Sequence, residues 1–297
     1  MSKDTFTDYH PIVNLLFFVS AIGFTMFFMH PVCLALSLLS SLSYNIYINP
    51  VKAVRFNLFF MLPVLLLTAL LNPLFNHQGI TMLAYLPNGN PITLESIVYG
   101  IASAIMLITV ISWFSCLNSV MTSDKFVYLF GRIIPALSLV LSMSLRFIPR
   151  FIKQIKVVAN AQTCIGRDES GGKILGKVKH GLRIISILVT WALENAIETA
   201  DSMKGRGYGL PGRTAFSIFK FKRRDVYATI YILACASAII AGTISGAYQY
   251  RYYPSIRGQW SGTGTIVLYM FYLALCLLPI IVNIKEDIVW KSIASKI

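Results

Sequence analysis

Apolar residues run along this sequence in long blocks that are separated by short polar segments. A helix needs about twenty consecutive apolar residues to cross roughly 30 Å of hydrocarbon. Blocks near that length occupy residues 11–29, 31–48, 56–75, 94–117, 226–246 and 265–282. The first block is too long for the apolar core of a signal peptide, so it should remain as an anchor. The pattern predicts an all-α integral membrane protein with about six transmembrane helices.

The composition agrees with this class. Hydrophobic residues make up 56% of the chain, charged residues make up 13%, and the mean hydropathy is +0.67. These values lie well away from those of a typical soluble domain. The five cysteines are scattered without a paired motif, so they predict neither a disulfide framework nor a metal site.

Two further apolar stretches, residues 133–151 and 184–197, raise the question of extra spans. If both crossed, the lysines and arginines between them would lie outside the cell, against the tendency of positive loops to remain inside. Residues 150–224 carry 15 Lys or Arg against 5 Asp or Glu, which is most of the net charge of +14. We therefore assign residues 118–225 to the cytoplasmic side, as helices whose apolar faces press on the inner leaflet or on another membrane protein.

This assignment divides the chain into three parts. They are four N-terminal spans (1–117), a cytoplasmic region of long helices (118–225), and two C-terminal spans with a tail (226–297). Both termini then lie in the cytoplasm. Residues 76–93 contain no lysine or arginine, which suits an external loop. Arg251 and Arg257 also fall outside, against the same tendency.

The sequence offers little catalytic chemistry. The four histidines are isolated, none has a partner at metal-binding helical spacing, and no GxxxxGK[ST] phosphate loop occurs. Residues 207–212 match GxGxxG but follow a helical pattern instead of a strand, so they predict no nucleotide site. The positive charge lies beside membrane spans without a nucleic-acid-binding motif, which favours anionic lipid over nucleic acid as a partner. We expect no enzyme activity, no metal and no bound cofactor.

A regular helix pattern covers residues 182–203. Ala192, Ala196 and Ala200 recur every four residues and form a small-residue stripe, which lets a second helix approach closely in an apolar setting. The acidic residues of this helix fall on the opposite face: Glu194, Glu198 and Asp201. One face is therefore expected to pack and the other to meet water. An ordinary amphipathic helix at a membrane surface has the same pattern.

The preceding helix pattern, residues 141–163, carries positive charge instead. Its basic residues recur on one face: Arg146, Arg150, Lys153 and Lys156. Pro149 removes a backbone donor and should kink this helix. We hypothesise that the basic face pairs with the acidic face of the following helix. The alternative is that it meets phospholipid headgroups.

Both helices end in glycine with an arginine beside it, in "CIGRD" at 164–168 and "KGRGYG" at 204–209. Glycine favours the left-handed backbone of a helix C-cap, and the negative end of the helix dipole favours a cation. An arginine fixed at such an end presents several directed donors to a partner. Simple capping combined with headgroup contact would produce the same signals.

Three segments resemble the T component of energy-coupling factor transporters, the CbiQ-type membrane proteins of cobalt and vitamin uptake systems. They are "SLRFIPRF" at 144–151, "ANAQTCIGRD" at 159–168 and "ALENAIETADSMKGRGYGLPGR" at 192–213. In that family, two cytoplasmic coupling helices each end in an Ala-Arg-Gly type motif that docks in a groove of an ATPase subunit. The resemblance therefore identifies residues 118–225 as a coupling region.

The two motifs match the family to different degrees. The second is Gly205-Arg206-Gly207, with glycine in place of the usual alanine, whereas the first has Ile165-Gly166 where Arg-Gly is usual, followed by Arg167. The resemblance implies that the ATPase subunits contact seven residues: Met203, Gly205, Arg206, Gly207, Tyr208, Gly166 and Arg167.

The resemblance implies an importer made of two ATPase subunits, this scaffold and a substrate-capturing S component in the plasma membrane of a prokaryote. ATP would bind to the ATPase subunits, and the cargo would be a vitamin or a metal ion such as cobalt or nickel. A self-sufficient secondary transporter is the alternative, although the inverted repeats of such transporters are not visible here. An intramembrane enzyme would need convergent carboxylates at membrane depth. Only Glu194, Glu198 and Asp201 cluster in the sequence.

Overall fold

The computed structural model describes most of the chain: residues 4–48, 50, 57–85, 89–133, 135–166, 174–208, 219–246, 250–258 and 262–294. In chain order its helices are α1 (Pro11–Phe27), α2 (Pro31–Ile48), α3 (Leu62–Phe75), α4 (Leu94–Val120), α5 (Ser123–Ile133), α6 (Pro135–Cys164), α7 (Ile174–Gly205), α8 (Arg223–Ile244) and α9 (Thr263–Ala294). A 3₁₀ turn, Thr5–Asp8, precedes α1, and a π-helical turn, Asn57–Met61, leads into α3.

Two short antiparallel hairpins lie between helices. Strand β1 (Met82–Tyr85) pairs with β2 (Pro91–Thr93) between α3 and α4. Strand β3 (Tyr250–Arg251) pairs with β4 (Arg257–Gly258) between α8 and α9. The sequence predicts only an external loop for residues 76–93, because strands as short as β1 and β2 carry too little alternation of apolar and polar residues to be recognised.

The chain folds as two units. The first comprises Met1–Thr122 and Phe219–Ile297 and is called the membrane unit; the second comprises Ser123–Ile218 and is called the inserted unit. The chain therefore leaves the membrane unit just after α4 and returns to it just before α8. The proposed coupling region, residues 118–225, spans the whole inserted unit and a few residues on either side.

Helix α4 lies at the centre of the membrane unit, where it packs against α1, α2 and α3, while α9 packs against α2 and α8. Gly100 allows α3 to approach α4 closely, because a Cβ atom there would lie 2.9 Å from the Ala69 carbonyl oxygen. The core is rich in aromatic residues. For example, the Phe17 ring meets the Trp113 ring edge to face, with centroids 5.7 Å apart, an arrangement that such rings prefer.

Polar side chains inside the membrane unit bond to one another. The indole Nε1 of Trp113 donates to Ser37 Oγ at 3.0 Å. The Thr25 hydroxyl lies 2.8 Å from that of Ser37 and 3.2 Å from the Tyr272 hydroxyl, and all four residues are fully buried. Because an unpaired polar group is costly in an apolar interior, this network lets hydroxyl groups occupy the packed core.

Four helices of the described part are long and apolar enough to cross a membrane: α2, α4, α8 and residues Gly264–Ile293 of α9. Two other predicted spans correspond to shorter apolar helices, Pro11–Phe27 and Phe59–Phe75. The chain is an all-α membrane protein, as the sequence predicts. The count of six spans stays a prediction.

The inserted unit is built from α5, α6 and α7, each packed against the next. Helix α6 runs through Pro149 and is 30 residues long. Helix α7 has 32 residues, so it extends beyond both ends of the 182–203 pattern. At 1.5 Å per residue it is roughly 48 Å long. Long helices in this region are thus present, and their cytoplasmic location stays a prediction.

Candidate partner-binding site

Helix α7 ends in a closed hydrogen-bonded cap. The Tyr208 N–H donates to the Met203 carbonyl at 3.1 Å, and the Gly207 N–H donates to the Lys204 carbonyl at 3.0 Å. Gly207 has φ +76°, in the left-handed region that a side chain disfavours. This pair of bonds around a left-handed glycine is the Schellman motif, which satisfies carbonyls that the helix end would otherwise leave open. The cap explains why the sequence places glycine here.

The cap fixes Arg206 at the end of α7. Its backbone N–H is shared between the carbonyls of Ser202, at 3.2 Å, and Met203, at 3.1 Å. The arginine side chain is exposed, beside the negative end of the helix dipole. Gly205 precedes it, and a Cβ atom there would meet nothing within 4 Å. Among the described residues, none obstructs the approach of a partner to the backbone of Gly205, and the Arg206 side chain is open to solvent.

Helix α6 ends with the same backbone geometry and a different side chain. Gly166 has φ +72°, and its N–H donates to the Thr163 carbonyl at 3.0 Å. Ile165 therefore holds the position that Arg206 holds at the end of α7, and its side chain is 65% exposed. Arg167 lies outside the described residues. An isoleucine thus occupies the position equivalent to Arg206, and the contact predicted for Arg167 stays a prediction.

Helices α6 and α7 are joined by an aromatic contact. The rings of Phe151 and Trp191 meet edge to face with centroids 5.5 Å apart. The guanidinium carbon of Arg150 lies 5.4 Å from the centroid of the Trp191 ring, within the range of a cation–π interaction. Sequence reasoning did not single out Trp191, although an aromatic residue beside the alanine stripe is a visible signal of a packing contact.

The residues predicted to form charge pairs between these helices are all exposed. They are Arg146, Arg150 and Lys153 on α6, and Glu194, Glu198 and Asp201 on α7. Glu198 comes two helical turns after Trp191, so it lies on the side of α7 that faces α6. The charges are therefore near the interface, and their pairing stays a prediction.

The other side of α7 exposes an apolar row that has no partner among the described residues. Its members are Leu182, Ile185, Val189, Leu193 and Ile197. A similar apolar row on α6 consists of Ile148, Ile152 and Ile155. Each of these side chains is at least 43% exposed. Ala196 and Ala200 lie beside the α7 row and are exposed too, whereas Ala192 is half-buried.

Exposed apolar rows of this size indicate an apolar neighbour, either lipid or another membrane protein. The spacing of three and four residues was the sequence signal for them. Apolar faces on these helices, turned to the inner leaflet or to another membrane protein, are expected from the sequence.

A family model described as a cobalt transport protein, CbiQ, matches residues 8–216 of the chain. A similar curated protein is the energy-coupling factor transporter transmembrane protein EcfT of Lactococcus lactis subsp. cremoris, which is 34% identical over 105 residues. That region is 35% of this chain and 40% of the relative. EcfT of Streptococcus thermophilus is 35% identical over 99 residues, which are 33% of this chain and 38% of the relative.

An uncharacterized protein of Mycoplasma genitalium is 25% identical over 167 residues, which are 52% of this chain and 40% of that protein. The aligned regions thus span about 40% of the length of these curated relatives.

Proposed function

The chain belongs to the CbiQ family of cobalt transport proteins, and from that premise we propose that it is the T component of an energy-coupling factor importer. In this role it is a membrane scaffold that transmits the ATP-driven movement of two ATPase subunits to a substrate-binding S component. The observation that carries the proposal is the capped end of α7, where Arg206 is exposed on a backbone that three hydrogen-bonded residues hold in place.

The end of α7 suits a groove on an ATPase subunit. Guanidinium has five donors in a rigid, permanently charged plane, so it can bond to several carboxylates or carbonyls at once. The Schellman cap limits the positions that Arg206 can adopt, and this reduces the entropy lost on binding. Met203, Gly205, Gly207 and Tyr208 would complete the contact, because the cap brings them around the arginine.

The end of α6 is proposed as a weaker contact. Gly166 gives it the same backbone shape, but Ile165 offers apolar surface where the other end offers hydrogen-bond donors. Arg167 is the nearest cation in the sequence, and it follows Gly166 instead of preceding it. It would therefore have to bind the ATPase subunit from a different position than Arg206 does. The two ATPase subunits would then hold the two helix ends unequally.

The apolar rows of α6 and α7 suit the S component. A cytoplasmic helix that exposes leucine and isoleucine along one face gains stability when a membrane protein covers that face. The small side chains of Ala196 and Ala200 beside the α7 row would allow a partner helix to come close. Because α7 is a single continuous helix, a displacement of its capped end would move the apolar row as well.

The proposed topology has six spans, with the inserted unit and both termini in the cytoplasm of a prokaryotic cell. The positive charge of residues 150–224 favours this orientation. Helices α1 and α3 are shorter than the other spans, so they would require local thinning of the bilayer or help from flanking residues. The chain itself would hold no cofactor, because ATP would bind to the ATPase subunits.

Reconstitution tests the proposal. The chain is co-expressed with candidate ATPase and S-component subunits, purified through a tag on the chain, and inserted into vesicles. We expect the ATPase pair to co-purify and to drive uptake of one member of a panel of labelled vitamins, cobalt ions and nickel ions. Uptake by vesicles that contain this chain alone would contradict the proposal and would support a secondary transporter instead.

A further inference from the structure

Asp225 is a buried carboxylate at the point where the chain returns to the membrane unit. It lies in the first turn of α8 and is 1% exposed. Its Oδ2 accepts the Lys222 N–H at 2.8 Å, which caps the helix. Its Oδ1 accepts the N–H of His10 at 3.2 Å, although His10 is distant in the sequence and precedes α1. One side chain therefore ties the start of α8 to the start of α1.

Burying a carboxylate is costly unless donors surround its charge. Here two backbone N–H groups point at it, and the positive end of the α8 dipole lies beside it. A side chain that only capped α8 would have no need of the second donor from His10. The arrangement is thus a junction between two segments and more than a helix cap.

Three further contacts hold the same two segments together. Arg224 Nη2 donates to the Asp8 carbonyl at 2.7 Å, and the guanidinium carbon lies 4.9 Å from the centroid of the Tyr9 ring. The rings of His10 and Phe221 have centroids 4.9 Å apart. We call this set of residues, Asp8, Tyr9, His10, Phe221, Arg224 and Asp225, the return anchor.

The N-terminal half of the return anchor is itself fixed to the bundle. The Thr5 N–H donates to Asn283 Oδ1 at 2.8 Å, and Asn283 Nδ2 donates to Asp4 Oδ1 at 2.6 Å. The Tyr44 hydroxyl donates to Asp4 Oδ2 at 2.9 Å. Phe6, between these residues, is fully buried. The segment before α1 is therefore bound to α2 and α9, and a force on the return anchor acts on all three helices.

We propose that Asp225 is a positioning residue that fixes the chain returning from the inserted unit to α1, α2 and α9, so that movement of the α7 end reaches the membrane helices. This inference rests on the proposed function. Only residues 207–218 separate Arg206 from the first residue of the returning segment. If that segment were loosely held, a displacement at Arg206 would move the connecting chain and leave the membrane helices in place.

The test measures hydrogen–deuterium exchange in the complex of the full chain with its two ATPase subunits, with and without ATP. Exchange of residues 200–208 reports on the α7 end, and exchange of residues 5–20 reports on the anchor and α1. Asp225→Asn removes the charge and leaves the shape. Arg224→Gln removes the contacts to Asp8 and Tyr9. Arg223→Gln is the matched control for Arg224→Gln. It removes the same positive charge from the neighbouring residue, whose side chain is exposed.

In the unchanged complex we expect ATP to alter exchange in both segments. In Asp225→Asn, the His10 amide should exchange about tenfold faster, since one charge-assisted hydrogen bond is weakened. The response of residues 5–20 to ATP should then be lost in Asp225→Asn and Arg224→Gln, while the response of residues 200–208 and ATPase co-purification persist. Arg223→Gln should behave like the unchanged chain.

A covalent substitute separates positioning from folding. In His10→Cys with Phe221→Cys, the two thiols replace side chains whose rings now meet, and a short bifunctional thiol reagent with a cleavable linker can join them; Cys164→Ser removes the exposed native thiol. Cross-linking this pair in the Arg224→Gln background should restore the response of residues 5–20, and cleavage of the linker should abolish it again. An equal response in Asp225→Asn, Arg224→Gln and the unchanged chain would overturn the inference. No ATP response at residues 200–208 in any variant would instead contradict the proposed function.

Discussion

Substituting Gly207 tests whether the cap at the end of α7 is needed to present Arg206. Gly207 has φ +76°, and a residue with a Cβ atom in that region costs roughly 1–2 kcal/mol. The N–H bonds from Gly207 and Tyr208 to the last turn depend on this conformation. In Gly207→Ala the equilibrium constant for the closed cap, which holds Arg206 in place, should therefore fall by about 5- to 30-fold.

The assay is the affinity of the purified chain for its ATPase subunits in detergent. We expect Gly207→Ala to lower this affinity by the same factor as it lowers the equilibrium constant for the closed cap. Gly207→Asn should lower the affinity less, because asparagine tolerates the left-handed region better than alanine does. Gly181→Ala is the control, since Gly181 lies within α7 and a Cβ atom there meets nothing within 4 Å. Equal affinities for Gly207→Ala and Gly181→Ala would refute the requirement for the cap.

Three other predictions concern the inserted unit. Reporter domains fused at Gly172 and after Ile297 should both lie in the cytoplasm, and an external Gly172 would exclude a cytoplasmic coupling region. Trp191→Ala should lower the free energy of unfolding by about 2–4 kcal/mol, since it removes the aromatic and cation–π contacts to α6; thermal unfolding measures this, and an unchanged midpoint would contradict the packing. Arg150→Glu and Glu198→Arg should each impair assembly and together restore part of it, and a double variant no better than either single one would exclude their pairing.

The helix ends were largely predictable from the sequence. Glycine after a helical pattern predicts a left-handed cap, and both Gly166 and Gly207 adopt it. The sequence also shows that the first motif differs from the family pattern. The structure adds that Ile165 occupies the position that Arg206 holds at the end of α7. These features are local, so a short stretch of sequence contains all the information that determines them.

The return anchor could not be predicted in this way. His10 and Asp225 meet only because α1 and α8 pack side by side, and no sequence spacing relates residues so far apart. The contact of Phe151 with Trp191 depends likewise on how α6 folds back on α7. Helix patterns reveal which face of a helix is apolar, but the partner of that face follows only from the packing of the whole chain.

The most direct test of the central claim is the substitution of Arg206. An interface residue of this kind typically contributes about 2–4 kcal/mol, so Arg206→Ala should weaken ATPase binding roughly thirty- to a thousandfold. The chain should still insert and fold, ATP-driven uptake should be abolished, and Arg206→Lys should restore only part of it, because an ammonium group cannot reproduce the planar set of donors. Lys204→Ala, which removes an exposed charge from the same turn, is the control. Normal ATPase co-purification together with normal uptake in Arg206→Ala would contradict the account.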